Sequence, residues 1–423
     1  MTSLKLFLLI LLAVIAQLGI FAAIAFYRHW VSYEKIKRQL SGMEAAPETG
    51  AVESISAPVS TSAALWQGTR NFRVQRKIFE DKNHSICSFY LVPEDGQPLP
   101  TFKPGQYLTF QFNISDPVTP TPRKVIRCYT LSEQPRSDYY RITVKKVPPP
   151  ENKPNIPAGD SSSYLHEQVQ EGAILAAKAP GGHFYLADEV REPIVLIAGG
   201  IGITPMLSML HAALQDDPHR EIWFFYGVRN SSEHIMKEHI QELASKHENL
   251  QLHVCYSRAD ENDVEGVDYQ HAARVDIKLL RLTLPIKQFQ FYICGPKPMM
   301  ETIVPALENW GVPEHQIHYE TFGPASITRH EKPAAVSVEP ITVTFRKSGK
   351  SLQWDDSFSC LLEFAEDNGI EINSGCRAGS CGTCQTMIEL GEVEYSQEPD
   401  VDLEAGTCLL CVSIPKTNLT LSA

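Results

Sequence analysis

The chain has 423 residues, of which 43% are apolar and 21% charged, so it is globular and long enough for two to four domains. Ten cysteines are too few for a disulfide scaffold, and their clustering near the C-terminus indicates reduced thiols and a metal site in a reducing compartment. The net charge is −12, and residues 339–423 hold 14 acidic against 5 basic residues. This balance disfavours a nucleic-acid partner and suits a basic protein partner, although solubility alone also accounts for it.

The N-terminus contains a long apolar run. Residues 6–27 include only one strongly polar side chain, Gln17, and are enough for a helix to cross a ~30 Å hydrocarbon layer. A cleaved signal peptide is the alternative, but its apolar region is usually only about 7 to 15 residues long. One lysine precedes the run and four basic residues follow it closely, which orients the C-terminal bulk toward the cytoplasm. We predict a single-pass anchor in the inner (cytoplasmic) membrane.

Changes in composition predict the domain boundaries. Residues 41–65 and 325–339 are rich in Ala, Ser, Pro and Glu and lack an apolar period, which is typical of disordered linkers. The predicted organisation is a membrane anchor in 1–40, a linker in 41–65, a β-domain in 66–187, an α/β domain in 188–324, a linker in 325–339 and a cysteine-rich domain in 340–423.

The two middle domains differ in their periodicity. Between residues 72 and 186, short β-prone runs alternate with Pro- and Gly-containing turns, which predicts a small antiparallel β-barrel. After residue 192, apolar strand-like runs alternate with helical stretches such as 232–247. This alternation predicts a Rossmann-like parallel sheet with helices on both faces.

Two glycine-containing loops follow strands of this sheet, where ligands of such folds bind. Gly200, Gly202 and Thr204 lie in "GGIGITP", between a buried strand and a helix, and glycines there let the backbone approach a pyrophosphate. Cys294 and Gly295 end the last strand. Each loop alone is also compatible with a tight turn or a small packing residue.

The barrel region offers a further constellation. Arg127 can pair with phosphate, Tyr129 projects from the same face of the strand, and the hydroxyl of Thr130 follows. The segment 159–165, "GDSSSYL", offers hydroxyls and backbone N–H groups before a predicted helix. Taken singly, these patterns also fit an ordinary cross-strand pair and a helix cap.

The order of the motifs is more specific than any one of them. "GQY", "RCYTLS", "GDSSSYLH", "APGGHF", "GIGITPML", "CGPKPMM" and "HYETFGP" resemble, in order, the ferredoxin-reductase superfamily, and in particular the reductase modules of flavohemoglobins. The resemblance covers about residues 66–324 and implies FAD on the barrel and NADH or NADPH on the parallel sheet. Flavohemoglobins begin with a haem-binding globin, and the residues before Trp66 are too few for one, so haem chemistry is not expected in this chain.

The resemblance also implies roles for individual residues. FAD would be held by Arg127 at the phosphate, by Tyr107, Tyr129 and Thr130 at the flavin ring or ribityl chain, and by Ser161 and Ser162 at the pyrophosphate, with Phe322 shielding the ring. The nicotinamide nucleotide would be held by Gly200, Gly202, Thr204 and Gly295. Hydride would pass from nicotinamide to flavin beside Cys294 and Glu320.

The late cysteines have a metal-ligand spacing. Cys376, Cys381 and Cys384 are spaced C-x4-C-x2-C, the run found in plant-type [2Fe-2S] proteins, and Cys411 fits as the distant fourth ligand. A zinc ribbon is the alternative, because Cys408 and Cys411 form a second CxxC pair. Residues 340–423 as a whole resemble a plant-type [2Fe-2S] ferredoxin, an α+β β-grasp fold, in which Cys408 is an extra buried thiol.

Together these cofactors predict a membrane-anchored reductase that converts two-electron hydride donation into single-electron delivery. We expect the electron acceptor to be a membrane-bound or soluble oxygenase, desaturase or cytochrome, reached by a ferredoxin domain that moves on its linker. Alternatives are the electron-input subunit of a membrane quinone reductase, in which the domain order is reversed, and a non-catalytic redox sensor. The choice between NADH and NADPH is open, since Ser257 and Arg258 suit a 2′-phosphate but also an ordinary strand end.

Overall fold

The computed structural model describes residues 65–115, 122–149, 158–187, 191–322, 340–375, 377, 379, 381–396, 399, 401 and 403–423. All of them belong to one compact unit, Ser62–Ala423. The predicted anchor and the second linker lie outside the described residues, as does the first linker except Leu65. Within the described ranges, no helix combines the length and the apolar character that a membrane crossing needs.

The first sheet is antiparallel, and its strands run in the order β4-β3-β6-β1-β2-β5. Leu131 bridges Ile142 beyond the end of β4, so the sheet curves toward closure. Phe72, Phe89 and Phe110 are fully buried inside the curve, each contributing roughly 1.5–3 kcal/mol. The predicted barrel is thus confirmed as a half-barrel. Its elements are β1 (Arg70–Phe79), β2 (Ile86–Pro93), β3 (Tyr107–Ile114), β4 (Arg123–Thr130), β5 (Tyr140–Lys145), α1 (Asp160–Glu167) and β6 (Ile174–Ala177).

The second sheet is parallel, in the order β11-β10-β7-β8-β9. Leu196 and Ile197 are fully buried but belong to two different apolar clusters, one on each face of the sheet. The predicted parallel sheet with two covered faces is therefore confirmed, and the carboxyl ends of its strands share one edge. Its elements are β7 (Ile194–Gly199), α2 (Ile203–Asp216), β8 (Ile222–Val228), α3 (Lys237–Lys246), β9 (Leu250–Tyr256), α4 (Ile277–Thr283), β10 (Gln290–Gly295), α5 (Lys297–Asn309) and β11 (Ile317–Thr321).

Helix α3 is shorter than the periodicity predicts. The side chain of Asn230 accepts a hydrogen bond from the backbone N–H of Ser232, which begins a short 3-10 turn, Ser231–Glu233. Met236 then adopts a left-handed conformation with φ 57°, and the helix begins only at Lys237. A polar turn of this kind competes with helix formation even where the apolar spacing suits a helix.

The C-terminal domain is built on a small mixed sheet in the order β13-β12-β18-β14-β16, with β15 and β17 paired beside it. Phe345, Leu361 and Leu421 are fully buried between this sheet and a short helix. This arrangement confirms the predicted ferredoxin-type domain. Its elements are β12 (Thr342–Phe345), β13 (Lys350–Gln353), α6 (Leu361–Asp367), β14 (Gln385–Leu390), β15 (Val393–Tyr395), β16 (Thr407–Leu409), β17 (Ser413–Pro415) and β18 (Leu419–Leu421).

Candidate functional site

The glycine loop after β7 lies tightly against the neighbouring strand. Gly200 has φ +53°, and a Cβ on Gly202 would stand 2.2 Å from the carbonyl oxygen of Cys294. Thr204, which is almost fully buried, donates its hydroxyl to the carbonyl of Ile201 at 3.1 Å and closes the first turn of α2. The loop thus brings bare backbone and the helix N-terminus to the carboxyl edge, an arrangement that suits a nucleotide phosphate.

Cys294 and Glu320 are register partners on the parallel strands β10 and β11. Cys294 is fully buried, and its burial, followed by the charge of Glu320, raises the pKa of the thiol well above its usual value. The thiol therefore stays protonated and shapes the site instead of acting as a nucleophile. Gly295 follows, and a Cβ there would meet the Met299 methyl at 2.3 Å, so a side chain at this position would require Met299 to move. Phe322, just beyond β11, is 41% exposed.

The carboxyl group of Glu320 is an uncompensated buried polar group. Its Oε2 atom is screened from solvent and finds no hydrogen-bond partner within the part of the chain that the structure describes. Burial raises the pKa of Glu320 to about 8, so the group is mostly protonated at neutral pH. A neutral carboxyl group at the carboxyl edge of the sheet can donate a hydrogen bond to a bound ring.

The barrel residues converge on the start of α1. The hydroxyl of Tyr129 donates to Ser161 Oγ at 3.0 Å, and burial raises the pKa of Tyr129 to about 12. Ser162 donates to the carbonyl of Gly159 at 3.0 Å within the first turn of α1. Arg127 lies two residues before Tyr129 on the same face of β4 and bonds the carbonyl of its own neighbour at 2.7 Å. A guanidinium group, two hydroxyls and a helix start at one place fit a flavin phosphate.

Tyr107 and Thr130 lie at the other end of the same strand pair. They are register partners of β3 and β4, and both are almost fully buried. Gly182 lies so close to the ring of Tyr107 that a Cβ there would meet the ring at 2.7 Å. The structure therefore brings Tyr107 beside Thr130 and fixes its ring, but on the opposite strand face from Arg127 and Tyr129.

Three of the four predicted cluster ligands lie together at one end of the small sheet. Cys381, Cys384 and Cys411 are each at most 7% exposed. The N–H of Leu410 donates to the carbonyl of Cys384 at 3.3 Å, which places Cys411 beside the cysteine loop. Cys376 lies outside the described residues.

These thiols do not form a single-metal site. Among the residues described by the structure, no three Cys, His, Asp or Glu side chains are grouped so that they could hold one metal ion. A [2Fe-2S] cluster does not need such a group, because each of its two irons takes two of the four thiolates.

The described residues of this cysteine loop, Gly375, Arg377, Gly379 and 381–384, have a backbone suited to close approach. Gly379 and Gly382 have φ values of +75° and +73°, which favour glycine, and a Cβ on Gly375 would stand 2.9 Å from the Cys381 sulfur. Arg377 also has a left-handed backbone, φ 58°, and donates to Glu366 on α6 at 2.9 Å. The absence of a side chain at Gly375 lets the backbone approach the Cys381 sulfur, and Arg377 joins the loop to α6, an arrangement that fits a bound cluster.

The cysteine loop contacts the half-barrel. Lys178, just after β6, donates its ammonium group to the carbonyl of Cys381 at 3.0 Å. A Cβ on Gly375 would stand 2.9 Å from Cγ2 of Ile126 on β4. Sequence reasoning missed Lys178 and Ile126, because nothing in a lysine before "APGG" or an isoleucine in a strand indicates a contact with a domain about 200 residues away.

A second missed group joins the half-barrel to the parallel sheet. Glu133, after β4, lies 3.0 Å from His211 Nδ1 on α2 and 3.2 Å from Arg141 on β5. Ser208 on α2 donates to the carbonyl of Glu133 at 2.8 Å. Burial opposes ionisation of Glu133, but His211 and Arg141 outweigh it and lower its pKa to about 2. The contacts of Glu133 with Ser208 and His211 hold the segment after β4 against α2.

Comparisons with known proteins agree with this architecture. Residues 196–304 match the oxidoreductase NAD-binding domain family, and residues 343–416 match the 2Fe-2S iron-sulfur cluster binding domain family. The chain is 41% identical over 261 residues to the flavohemoprotein of Bacillus thuringiensis subsp. konkukian (strain 97-27). That match spans 62% of this chain and 62% of the flavohemoprotein, so the chain covers less than two thirds of this relative.

Two solved structures extend the comparison. The flavohem-like FAD/NAD-binding domain of nitric oxide dioxygenase from Vibrio cholerae O1 biovar El Tor is 31% identical, with a TM-score of 0.52, and the match covers 60% of this chain and 99% of that domain. Full-length CYP116B46 from Tepidiphilus thermophilus is 25% identical, with a TM-score of 0.51, and the match covers 84% of this chain and 42% of that protein.

The fold and the site define an NAD(P)H-dependent flavin oxidoreductase of the ferredoxin-reductase type, with FAD and a [2Fe-2S] cluster as its cofactors. The chain belongs to the flavohem-like FAD/NAD-binding family, and its reductase module is fused to a C-terminal 2Fe-2S ferredoxin domain.

Proposed function

We propose that the protein passes electrons from NADH or NADPH through FAD and its [2Fe-2S] cluster to a partner oxygenase, desaturase or cytochrome. The observation that supports this proposal is that β4 carries residues of both predicted cofactor sites. Arg127 and Tyr129, on one face of β4, are predicted to hold FAD, while Ile126 contacts the cysteine loop at Gly375. From Ile126 to Thr130 the strand rises roughly 13 Å, so the two sites lie close enough for direct electron transfer.

Bound FAD would supply the conversion of two-electron hydride donation by the nicotinamide into single-electron transfer to the [2Fe-2S] cluster. The residues of the chain provide position and surroundings for this exchange. The Gly202 loop, which lies against β10, would hold the nucleotide, and the buried, protonated thiol of Cys294 would help to exclude water from the reacting groups. Glu320 holds a proton on its carboxyl group at neutral pH and offers it as a hydrogen-bond donor to the rings.

The acceptor would dock on the ferredoxin domain. Residues 339–423 carry 14 acidic and 5 basic residues, so their surface attracts a basic partner. The structural match to full-length CYP116B46 over 84% of this chain supports an acceptor of the oxygenase or cytochrome class.

We also propose that residues 1–40 anchor the protein in the inner membrane, with the redox domains in the cytoplasm. The support is the sequence alone, namely the apolar run of residues 6–27 and the basic residues that follow it. Confinement to the membrane would raise the effective concentration near a membrane-bound acceptor.

The test removes the cluster and leaves the flavin. Cys411→Ser in the full chain is expected to retain NAD(P)H oxidation with ferricyanide, which can take electrons at the flavin, and to lose most reduction of cytochrome c, a one-electron protein acceptor. Cys408→Ser, which alters a fully buried neighbouring thiol, is the matched control and should retain both activities. Cytochrome c reduction that survives in the cluster-free variant would place the exit at the flavin, and a wild-type protein without sustained NAD(P)H oxidation would be a sensor.

A further inference from the structure

Lys178 is held by the half-barrel and reaches the cysteine loop. Its backbone N–H donates to the carbonyl of Thr109 on β3 at 2.9 Å, which continues the β3–β6 pairing past the end of β6. Its side chain leaves the same point and donates from Nζ to the carbonyl of Cys381 at 3.0 Å. The base of the lysine is therefore fixed in the sheet, and its charge lies against the backbone of a predicted cluster ligand.

The charge of Lys178 lies at the contact between the half-barrel and the ferredoxin domain. Ile126, on β4 of the half-barrel, makes an apolar contact with Gly375 of the cysteine loop. The cysteine loop has a cation of its own, Arg377, which is paired with Glu366 of the ferredoxin domain at 2.9 Å. The charge of Arg377 therefore moves with the ferredoxin domain, whereas the charge of Lys178 stays with the barrel and acts on the cluster only while the two domains are docked.

We propose that Lys178 is a positioning residue that holds the ferredoxin domain on the barrel and favours the reduced form of the cluster in the docked state. This inference rests on the proposed function, because it concerns the electron that arrives from NAD(P)H through FAD. Reduction adds one electron, and thus one negative charge, to the cluster. The Lys178 ammonium group, 3.0 Å from the carbonyl of a predicted ligand, would stabilise that charge. We expect an effect of about ten-fold in the equilibrium constant, between the limits for water and for a protein interior.

Docking and reduction are then linked. If docking favours reduction by about ten-fold, reduction must strengthen docking by the same factor, because the two equilibria close one thermodynamic cycle. The cluster accepts its electron most readily on the barrel and becomes a stronger reductant when the ferredoxin domain leaves. Lys178 thereby helps the flavin to load the cluster without lowering its reducing power toward a partner.

The test is an EPR-monitored redox titration of the cluster in the full-length holoprotein, with dithionite and mediators as reductant. Lys178→Gln should lower the equilibrium constant for cluster reduction about ten-fold, which corresponds to a midpoint potential lower by ~59 mV for one electron. Lys178→Arg should restore most of the wild-type value, because it keeps the charge. Lys82→Gln removes the charge of an exposed lysine between β1 and β2 and should leave the potential unchanged.

A second variant covers the possibility that Lys178→Gln does not fold. Ile126→Glu places a negative charge at the contact with Gly375 and should lower the potential in the same direction. An unchanged midpoint in Lys178→Gln, with the cluster signal intact, would overturn the proposal, as would equal shifts in Lys178→Gln and Lys82→Gln. Because dithionite reduces the cluster directly, this result is independent of the proposed path, which fails separately if NAD(P)H does not reduce the wild-type cluster.

Discussion

Glu320 makes the stability of the folded protein depend on pH, and a single substitution should remove this dependence. The carboxyl group has no hydrogen-bond partner for Oε2 within the described residues, and burial raises its pKa from the ordinary 4.5 to about 8. In the unfolded chain the group loses its proton near pH 4.5, whereas in the folded protein it keeps the proton until about pH 8. The unfolded state therefore binds fewer protons between these values, and stability falls as the pH rises through that window.

The magnitude follows from the two pKa values. The gap between 4.5 and about 8 corresponds to about 5 kcal/mol once the group is fully ionised, and most of this penalty, about 3 kcal/mol, develops between pH 5 and pH 8. Glu320→Gln keeps the shape and cannot ionise. We expect the variant to match the wild type closely at pH 5 and to exceed it in free energy of unfolding by about 3 kcal/mol at pH 8.

The assay is thermal or denaturant unfolding of FAD-loaded protein at intervals from pH 5 to pH 8.5, followed by circular dichroism. Glu261→Gln changes an exposed carboxylate in the loop after β9 and serves as the control. If the stability difference between Glu320→Gln and the wild type stays constant across the range, Glu320 is not a buried group with a raised pKa, and its assignment as a proton-holding residue fails.

Three further substitutions test the sites that hold the cofactors. Tyr129→Phe removes the 3.0 Å hydrogen bond to α1 and should weaken FAD retention by about three- to ten-fold, measured as flavin release by fluorescence; unchanged retention would contradict the site. Gly202→Ala puts a methyl group 2.2 Å from the Cys294 carbonyl and should raise the KM for NAD(P)H at least ten-fold. Gly200→Ala meets no neighbouring atom and adds only the backbone strain of its φ of +53°, so it should raise the KM less; the reverse order would show that the close approach of Gly202 does not matter. Arg377→Gln loses the tie to α6 and should speed loss of the cluster to a chelator by up to about five-fold, and an unchanged rate would show that the ion pair does not hold the loop.

Much of the architecture could be predicted from local patterns. The alternation of short β-prone runs with turns gave the half-barrel, and the carboxyl-edge positions of Gly202 and Cys294 followed from reading buried strands before them. These features depend on residues close together in the chain. The start of α3 could not be read in this way, because the left-handed Met236 and the Asn230 turn override an otherwise regular helical period.

The contacts between domains were beyond sequence reasoning for a different reason. The hydrogen bond from Lys178 to Cys381 joins residues 203 positions apart, and the Glu133 to His211 pair joins a barrel loop to a helix of the next domain. The sequence around Lys178 and around Glu133 does not indicate which residue either side chain contacts. The raised pKa of Glu320 was equally hidden, since it depends on burial in the fold and on Oε2 having no partner among the described residues.

The central claim is the path from NAD(P)H through FAD to the [2Fe-2S] cluster. It is tested most directly by adding NADH or NADPH to the oxygen-free holoprotein and recording its visible and EPR spectra. We expect one or both nucleotides to bleach the flavin and the cluster and to produce the paramagnetic signal of a one-electron-reduced [2Fe-2S] centre with four thiolate ligands. Flavin bleaching without that signal, in protein that contains zinc instead of iron, would contradict it.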